Sequence, residues 1–106
     1  MFKSAFILVV VASLSMSALA AKKSDPTVYS VKWKERSGRI SHQSVCYNYD
    51  EGSIPYRRCR VQAQKHFVQQ CRHFTAKYEK TKAPYNKSFR KKRDKFCYSA
   101  DRYYPF

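Results

Sequence analysis

Residues 54–80, IPYRRCRVQAQKHFVQQCRHFTAKYEK, carry an apolar rhythm that contains no Gly and, after Pro55, no Pro. Cys59, Ala63, Phe67, Cys71, Phe74 and Tyr78 follow at steps of four, four, four, three and four. That spacing puts all six on one face of an α-helix. Arg57, Arg58, Gln62, Lys65, Gln69 and Arg72 fall elsewhere on the wheel, where water reaches them. The start is marked too. Gly52 and Ser53 make a turn, Ser53 has the side chain of an N-cap, and Pro55 suits a first turn, where its missing N–H is no loss. Two of the stripe residues are cysteines, so this helix is the expected point of covalent attachment for the rest of the chain.

Downstream, residues 81–83 break the pattern. Pro84 sits where a second helix can begin, and Tyr85, Phe89, Phe96 and Cys97 keep a helical rhythm to about Tyr98. The short connection makes the two helices antiparallel neighbours. Residues 99–106 read as a Tyr-rich tail that packs as a flap over the core or stays mobile. A first helix of 27 residues would run about 40 Å, against about 30 Å for a compact domain of this size. One end is therefore expected to overhang, fray or bend, most naturally after Tyr78.

Upstream, Tyr29, Val31 and Trp33 alternate with polar residues, Ser37-Gly38 is a turn signal, and Val45, Tyr47 and Tyr49 alternate again within residues 40–49. The two runs predict a β-hairpin, with an irregular extended arm as the alternative. An isolated hairpin is weak, so it should lie on the long helix, with Trp33 as its lid and Cys46 as its tie. The expected fold is mainly α, a small α+β domain. Its N-terminal hairpin or arm packs on an antiparallel two-helix hairpin stapled by disulfides.

The 106 residues suffice for one small domain. Residues 1–20 read as a signal peptide. Met1-Phe2-Lys3 is basic, residues 5–19 are apolar or small, and Ala18-Leu19-Ala20 fits signal peptidase. At roughly 15 residues the apolar run is short of the ~20 that span a bilayer. Residues 21–106 are then the domain, with 21–27 a polar, flexible lead-in, and a secreted or periplasmic destination is expected. Export suits the four cysteines, which read as two disulfides. A zinc site would want CxxC or HxxxH knuckles, and neither occurs, so no metal is expected. Cys59 and Cys71 lie roughly 18 Å apart along one helix, beyond the ~7 Å that a disulfide allows. In a hairpin turning near Lys82, Cys97 faces the helix near Phe67, about 6 Å along the axis from Cys71 and about 12 Å from Cys59. This favours Cys71–Cys97 with Cys46–Cys59. The swap, Cys46–Cys71 with Cys59–Cys97, stays open.

Charge dominates the composition. Twenty-two Lys and Arg oppose seven Asp and Glu, for a net +15; without Lys3 the balance is 21 against seven, +14. Such a chain is drawn to anionic surfaces. The densest block is Lys87, Arg90, Lys91, Lys92, Arg93 and Lys95, opposed locally by Asp94, with Lys77, Lys80 and Lys82 nearby. The block reads either as a docking patch for phosphates or acidic sugars or as a solvated helix face. Tyr85, Phe89, Phe96, Tyr98, Tyr103 and Tyr104 could stack on bases or sugars where exposed, although Tyr85, Phe89 and Phe96 have the spacing of core residues.

Catalytic signals are thin. His66 and His73 share a helix face but stand about 10 Å apart along it, too far to ligate one metal. A basic ribonuclease would need two histidines near a lysine, and His42 is the residue that could join one of the pair. Two glycines cannot make a phosphate-binding loop, and no nucleophile elbow is present. Asn86-Lys87-Ser88 is a glycosylation sequon, relevant only in a eukaryotic host. The expectation is therefore a non-enzymatic exported module without cofactor, whose partner is an anionic polymer (envelope polymer or nucleic acid) or an acidic protein surface. A small secreted nuclease and a membrane-active cationic effector are the alternatives.

Overall fold

The computed structural model describes residues 27–106. The signal-peptide reading of residues 1–20, and the lead-in up to residue 26, lie outside the described residues. Two short strands, β1 (Glu35–Arg36) and β2 (Arg39–Ile40), are followed by a single 3-10 turn (His42–Ser44) and two helices, α1 (Ile54–Lys80) and α2 (Lys87–Arg102).

α1 has the limits that its periodicity predicts. Ser53 caps it, its Oγ accepting the Tyr56 N–H at 3.2 Å. At the other end, Lys77 and Lys80 face the negative end of the helix dipole, and the Thr81 hydroxyl donates to the Lys77 carbonyl at 2.7 Å. The helix therefore holds through Lys80 instead of fraying after Tyr78. Along the stripe, Cys59, Ala63 and Phe67 are buried, while Cys71, Phe74 and Tyr78 are only half-buried. Burial fades toward the hairpin's connecting end because only α2 covers it there.

α2 packs back on α1, but its limits differ from the expected ones. Pro84 and Tyr85 lie in the connecting turn, and the helix starts at Lys87 and continues to Arg102. Tyr85, read as a core position, is 78% exposed. Residues 99–102, read as the start of a tail, form the last turn of α2. Tyr103 then enters the core at 1% exposure. Its ring meets Phe67 edge-on at 5.2 Å, and its hydroxyl donates to the Arg60 carbonyl at 3.0 Å. The aromatic centre also includes Trp33 and Phe96, 5.4 and 6.3 Å from the Phe67 ring.

The disulfides are the favoured pair. Cys46–Cys59 joins the N-terminal segment to α1 with Cα atoms 6.0 Å apart, and Cys71–Cys97 joins the helices with Cα atoms 4.6 Å apart. Closing loops of 13 and 26 residues, they restrict the unfolded chain by about 3 and about 3.5 kcal/mol in the chain-entropy picture.

The β-hairpin forms, but it is far shorter than the alternation suggests. Ser37 and Gly38 both take positive φ, 53° and 76°, the backbone of a two-residue hairpin turn. Glu35 pairs with Ile40 and Arg36 with Arg39, and regular pairing ends there. Residues 41–49 are not a strand. Val45 and Cys46 are both buried, which no alternating strand would do, and Cys46 has φ 66°. The physical reason is the cystine. A strand continuing from Ile40 would carry Cys46 about 20 Å onward. The 3-10 turn instead folds Cys46 back to Cys59, its N–H held by the Lys32 carbonyl at 2.7 Å. Residues 27–34 are extended without ladder pairing and are clasped by side chains. Gln62 accepts the Tyr29 N–H at 2.9 Å and donates to the Thr27 carbonyl at 2.7 Å. Asn48 donates to the Ser30 carbonyl at 3.0 Å.

Candidate functional site

One edge of α2 faces away from the core. Phe89, Phe96, Ser99 and Tyr103 follow the inner arc, so the helical period sends Lys87, Lys91, Lys95, Tyr98 and Arg102 to the outer one. The six basic residues singled out by the sequence do not behave alike. Lys87, Arg90, Lys91 and Lys92 are exposed. Lys87 and Arg90 border a shallow hollow of about 180 Å³ with Tyr78, Pro84 and Asn86. Lys92 lays its ammonium over the Phe74 ring, 5.4 Å from its centre. Arg93 is spent locally, pairing with Asp94 at 2.9 Å and stacking on Tyr78 at 4.4 Å. Lys95 reaches across to the hairpin and pairs with Glu35 at 3.1 Å. Glu35 also accepts the Trp33 indole N–H at 3.0 Å, and that bond, ahead of Lys95, holds its carboxyl below the usual range. Arg93 and Lys95 are thus held by carboxylates, while Lys87, Arg90, Lys91 and Lys92 are open to solvent, Lys92 lying over Phe74.

Two cations outside the block complete the surface. Arg39, just after the hairpin turn, and Arg102, in the last turn of α2, both stack on Tyr98, at 4.0 and 4.2 Å from its ring centre. The two guanidinium carbons cannot then be more than about 8 Å apart, a repulsion of roughly 0.5 kcal/mol in water and roughly 2 kcal/mol at a protein surface. Neither forms a salt bridge among the described residues. Beside them a recess of about 420 Å³ is lined by Ser37, Gly38, Arg39, Lys91, Asp94, Lys95 and Tyr98. The i, i+4 spacing of Tyr98 and Arg102 was readable as a stacking pair. The approach of Arg39 was not, because it depends on how the hairpin lands on α2.

The aromatic residues offered for stacking are mostly occupied. Phe96 and Tyr103 are buried, Phe89 is half-buried and stacks on Phe74 at 6.4 Å, and Tyr98 carries the two guanidinium groups. Tyr85 and Tyr104 are exposed but belong to opposite ends of α2.

The histidines separate. His42 is hydrogen-bonded through Nε2 to the Ser99 hydroxyl at 2.9 Å, with its ring against Tyr98 and Tyr103. Burial, then the Arg60 charge, holds its pKa low. Ser99 is fully buried, so this Ser–His contact offers no nucleophile to a substrate. His66 packs on Trp33, Phe67 and Phe96, and burial lowers its pKa as well. His73 rests on Phe74. Among the described residues no group of three or more His, Cys, Asp or Glu side chains could hold a metal ion, and no helix is long and apolar enough to cross a membrane.

The structural residue least visible in the sequence is Arg60. Its Nε donates to the Pro105 carbonyl at 2.9 Å, and one terminal nitrogen donates to the carbonyls of His42 and Val45, each at 3.1 Å. It also lies over Tyr103 and Tyr56. One charged side chain thus ties the 3-10 turn and the C-terminal residues to α1. In comparison with known proteins, no family model, no curated protein and no solved structure matches the chain.

Proposed function

We propose that this chain is an exported, non-enzymatic binding module that docks an anionic partner through the outer edge of α2. The observation that carries the reading is the exposure of Lys87, Arg90 and Lys91 without carboxylate partners, with Arg39 lining a recess beside Lys91. Arg93 and Lys95, by contrast, are paired with Asp94 and Glu35. The two cystines and the helix pair give these cations fixed positions, which lowers the entropy lost on binding. The disulfides and the leader-like residues 1–20 support an oxidising destination, secreted or periplasmic.

A nuclease is less well supported, because His42 is engaged by Ser99 and His66 by the aromatic core. A membrane-active effector would need an apolar helix face for lipid, and the buried parts of α1 and α2 already face each other. The test is retention on an anionic matrix. The combined Lys87→Gln, Arg90→Gln and Lys91→Gln variant should elute at clearly lower salt than the parent with an unchanged circular dichroism spectrum. Equal retention of the two proteins would move the binding surface off α2.

A further inference from the structure

From the free edge of the N-terminal arm, residues 27–34, we infer a second docking site, where an extended segment of a partner protein adds to the arm as a β-strand. The segment alternates apolar residues with carboxylates. The site belongs to the arm and α1 and uses none of the cations of α2.

The arm alternates like a strand that has one edge taken. Tyr29, Val31 and Trp33 are half-buried, while Ser30, Lys32 and Lys34 are exposed. In an extended chain the N–H and C=O of one residue point to the same edge, and those of the next residue to the other. Ser30, Lys32 and Lys34 turn theirs toward residues 41–49. Ser30 donates to the Tyr49 hydroxyl and accepts from the Asn48 amide. Lys32 accepts the Cys46 N–H, and Lys34 donates to the Ser44 hydroxyl and accepts the Ser41 N–H. The opposite edge begins at Tyr29, whose N–H is held by Gln62. Beyond it, the backbone N–H and C=O of Val31 and Trp33 have no hydrogen-bond partner among the described residues. Val31 and Gln62 line a hollow of about 250 Å³ floored by Lys65, His66 and Gln69 of α1, so this edge looks onto open space.

Two donors and two acceptors, repeating at about 6.6 Å, match what another backbone supplies. A phosphate or acidic-sugar polymer presents oxyanions, which the two carbonyls repel, so this edge selects a peptide. Side chains then set its composition. In an antiparallel pair, the residues opposite Val31 and Trp33 point inward with them, where apolar side chains pack. The residue opposite Lys32 points to solvent at a non-hydrogen-bonded position, where side chains come closest, so a carboxylate there meets the exposed ammonium. Lys65 on the floor is exposed as well, and no carboxylate lines the hollow. A second copy of this chain is the wrong occupant. With Val31 paired to Trp33 of the copy, Lys32 would stand opposite Lys32, on chains that each carry a net +15.

The experiment titrates the disulfide-bonded protein with a short peptide of alternating Glu and Val, and with two forms of it N-methylated either on the Val or on the Glu residues. All three carry the same charge. The Val-methylated form lacks the donors that face the arm and should bind about tenfold or more weakly, whereas the Glu-methylated form should stay within about twofold. On binding, hydrogen exchange of the Val31 and Trp33 amides should slow. Val31→Pro removes a donor that the fold does not use and should lose about fivefold. Lys32→Glu, on the exposed face, should also lose about fivefold, and it decides the matter should Val31→Pro fail to fold. The combined Lys87→Gln, Arg90→Gln and Lys91→Gln variant should bind the peptide as the parent does. Equal binding of the Val-methylated and unmethylated peptides, or Val31 and Trp33 amides that exchange as before, would overturn the inference. So would peptide binding lost in the α2 variant, or a peptide-free dimer that already protects those two amides. Failure here leaves the retention test of the α2 edge as it stands, because the two sites share no residue.

Discussion

Replacing Arg60 by Gln should unfasten the turn and the C-terminal residues from α1 together. Three of the guanidinium's bonds are short, to the carbonyls of Pro105, His42 and Val45 at 2.9, 3.1 and 3.1 Å. A bond to a charged donor contributes about 1.5–3 kcal/mol, but the site is only partly buried and water can replace some of it. Counting about 1 kcal/mol for each gives roughly 3 kcal/mol. The fourth bond, to the Tyr104 carbonyl at 3.4 Å, is exposed and adds little. In a domain this small, 3 kcal/mol corresponds to a fall in Tm of very roughly 12–24 °C. Thermal and urea unfolding under non-reducing conditions measure it. Because the Arg60 charge helps to hold the His42 pKa down, the same variant should raise that pKa by NMR. A loss below about 1 kcal/mol with no movement of His42 would refute the view of Arg60 as a clasp.

Two other predictions concern the cystines and pH. The Cys71→Ala, Cys97→Ala double variant should lose about 3.5 kcal/mol, and the Cys46→Ala, Cys59→Ala double variant about 3 kcal/mol. Cys46 should also relax from its positive φ in the second variant, visible as a larger chemical-shift change around residues 41–49. Stability should fall on both sides of neutrality. Burial pushes Tyr103 up to about 12, while the unfolded chain releases that proton near pH 10. Stability is therefore intact below pH 10 and falls by about 2 kcal/mol as pH rises to 12. His42 and His66 have lowered pKa values, so the unfolded chain takes up protons first as pH drops below about 6.5, and stability declines on the acid side as well. Urea midpoints at pH 5, 7 and 11 check both directions, and a flat profile would contradict the burial of these groups.

The sequence made α1 and the exclusion of a Cys59–Cys71 bridge legible for a local reason. Helical period, Ser53 and the 12-residue gap between Cys59 and Cys71 need no knowledge of distant residues. Residues 41–49 misled because Val45, Tyr47 and Tyr49 alternate like a strand while the cystine at Cys46 demands a reversal. Tyr103 looked like tail, and nothing in the sequence marked Arg60 out, because each is fixed by the other's neighbourhood, more than 40 residues away along the chain. At the candidate site, the exposed cations of α2 were visible as composition. Their sorting into paired Arg93 and Lys95 and unpaired Lys87, Arg90 and Lys91 required the hairpin and Tyr78 in place.

The salt dependence of binding to immobilised heparin tests the docking account most directly. With the ~0.7 per cation contact of single-stranded nucleic acid as a guide, a log–log plot for the parent should slope at about −3 or steeper, and the Lys87→Gln, Arg90→Gln, Lys91→Gln variant should be shallower by about 2. A parent slope near zero, or a variant slope equal to the parent's, would contradict the claim that α2 presents free positive charge to an anionic partner.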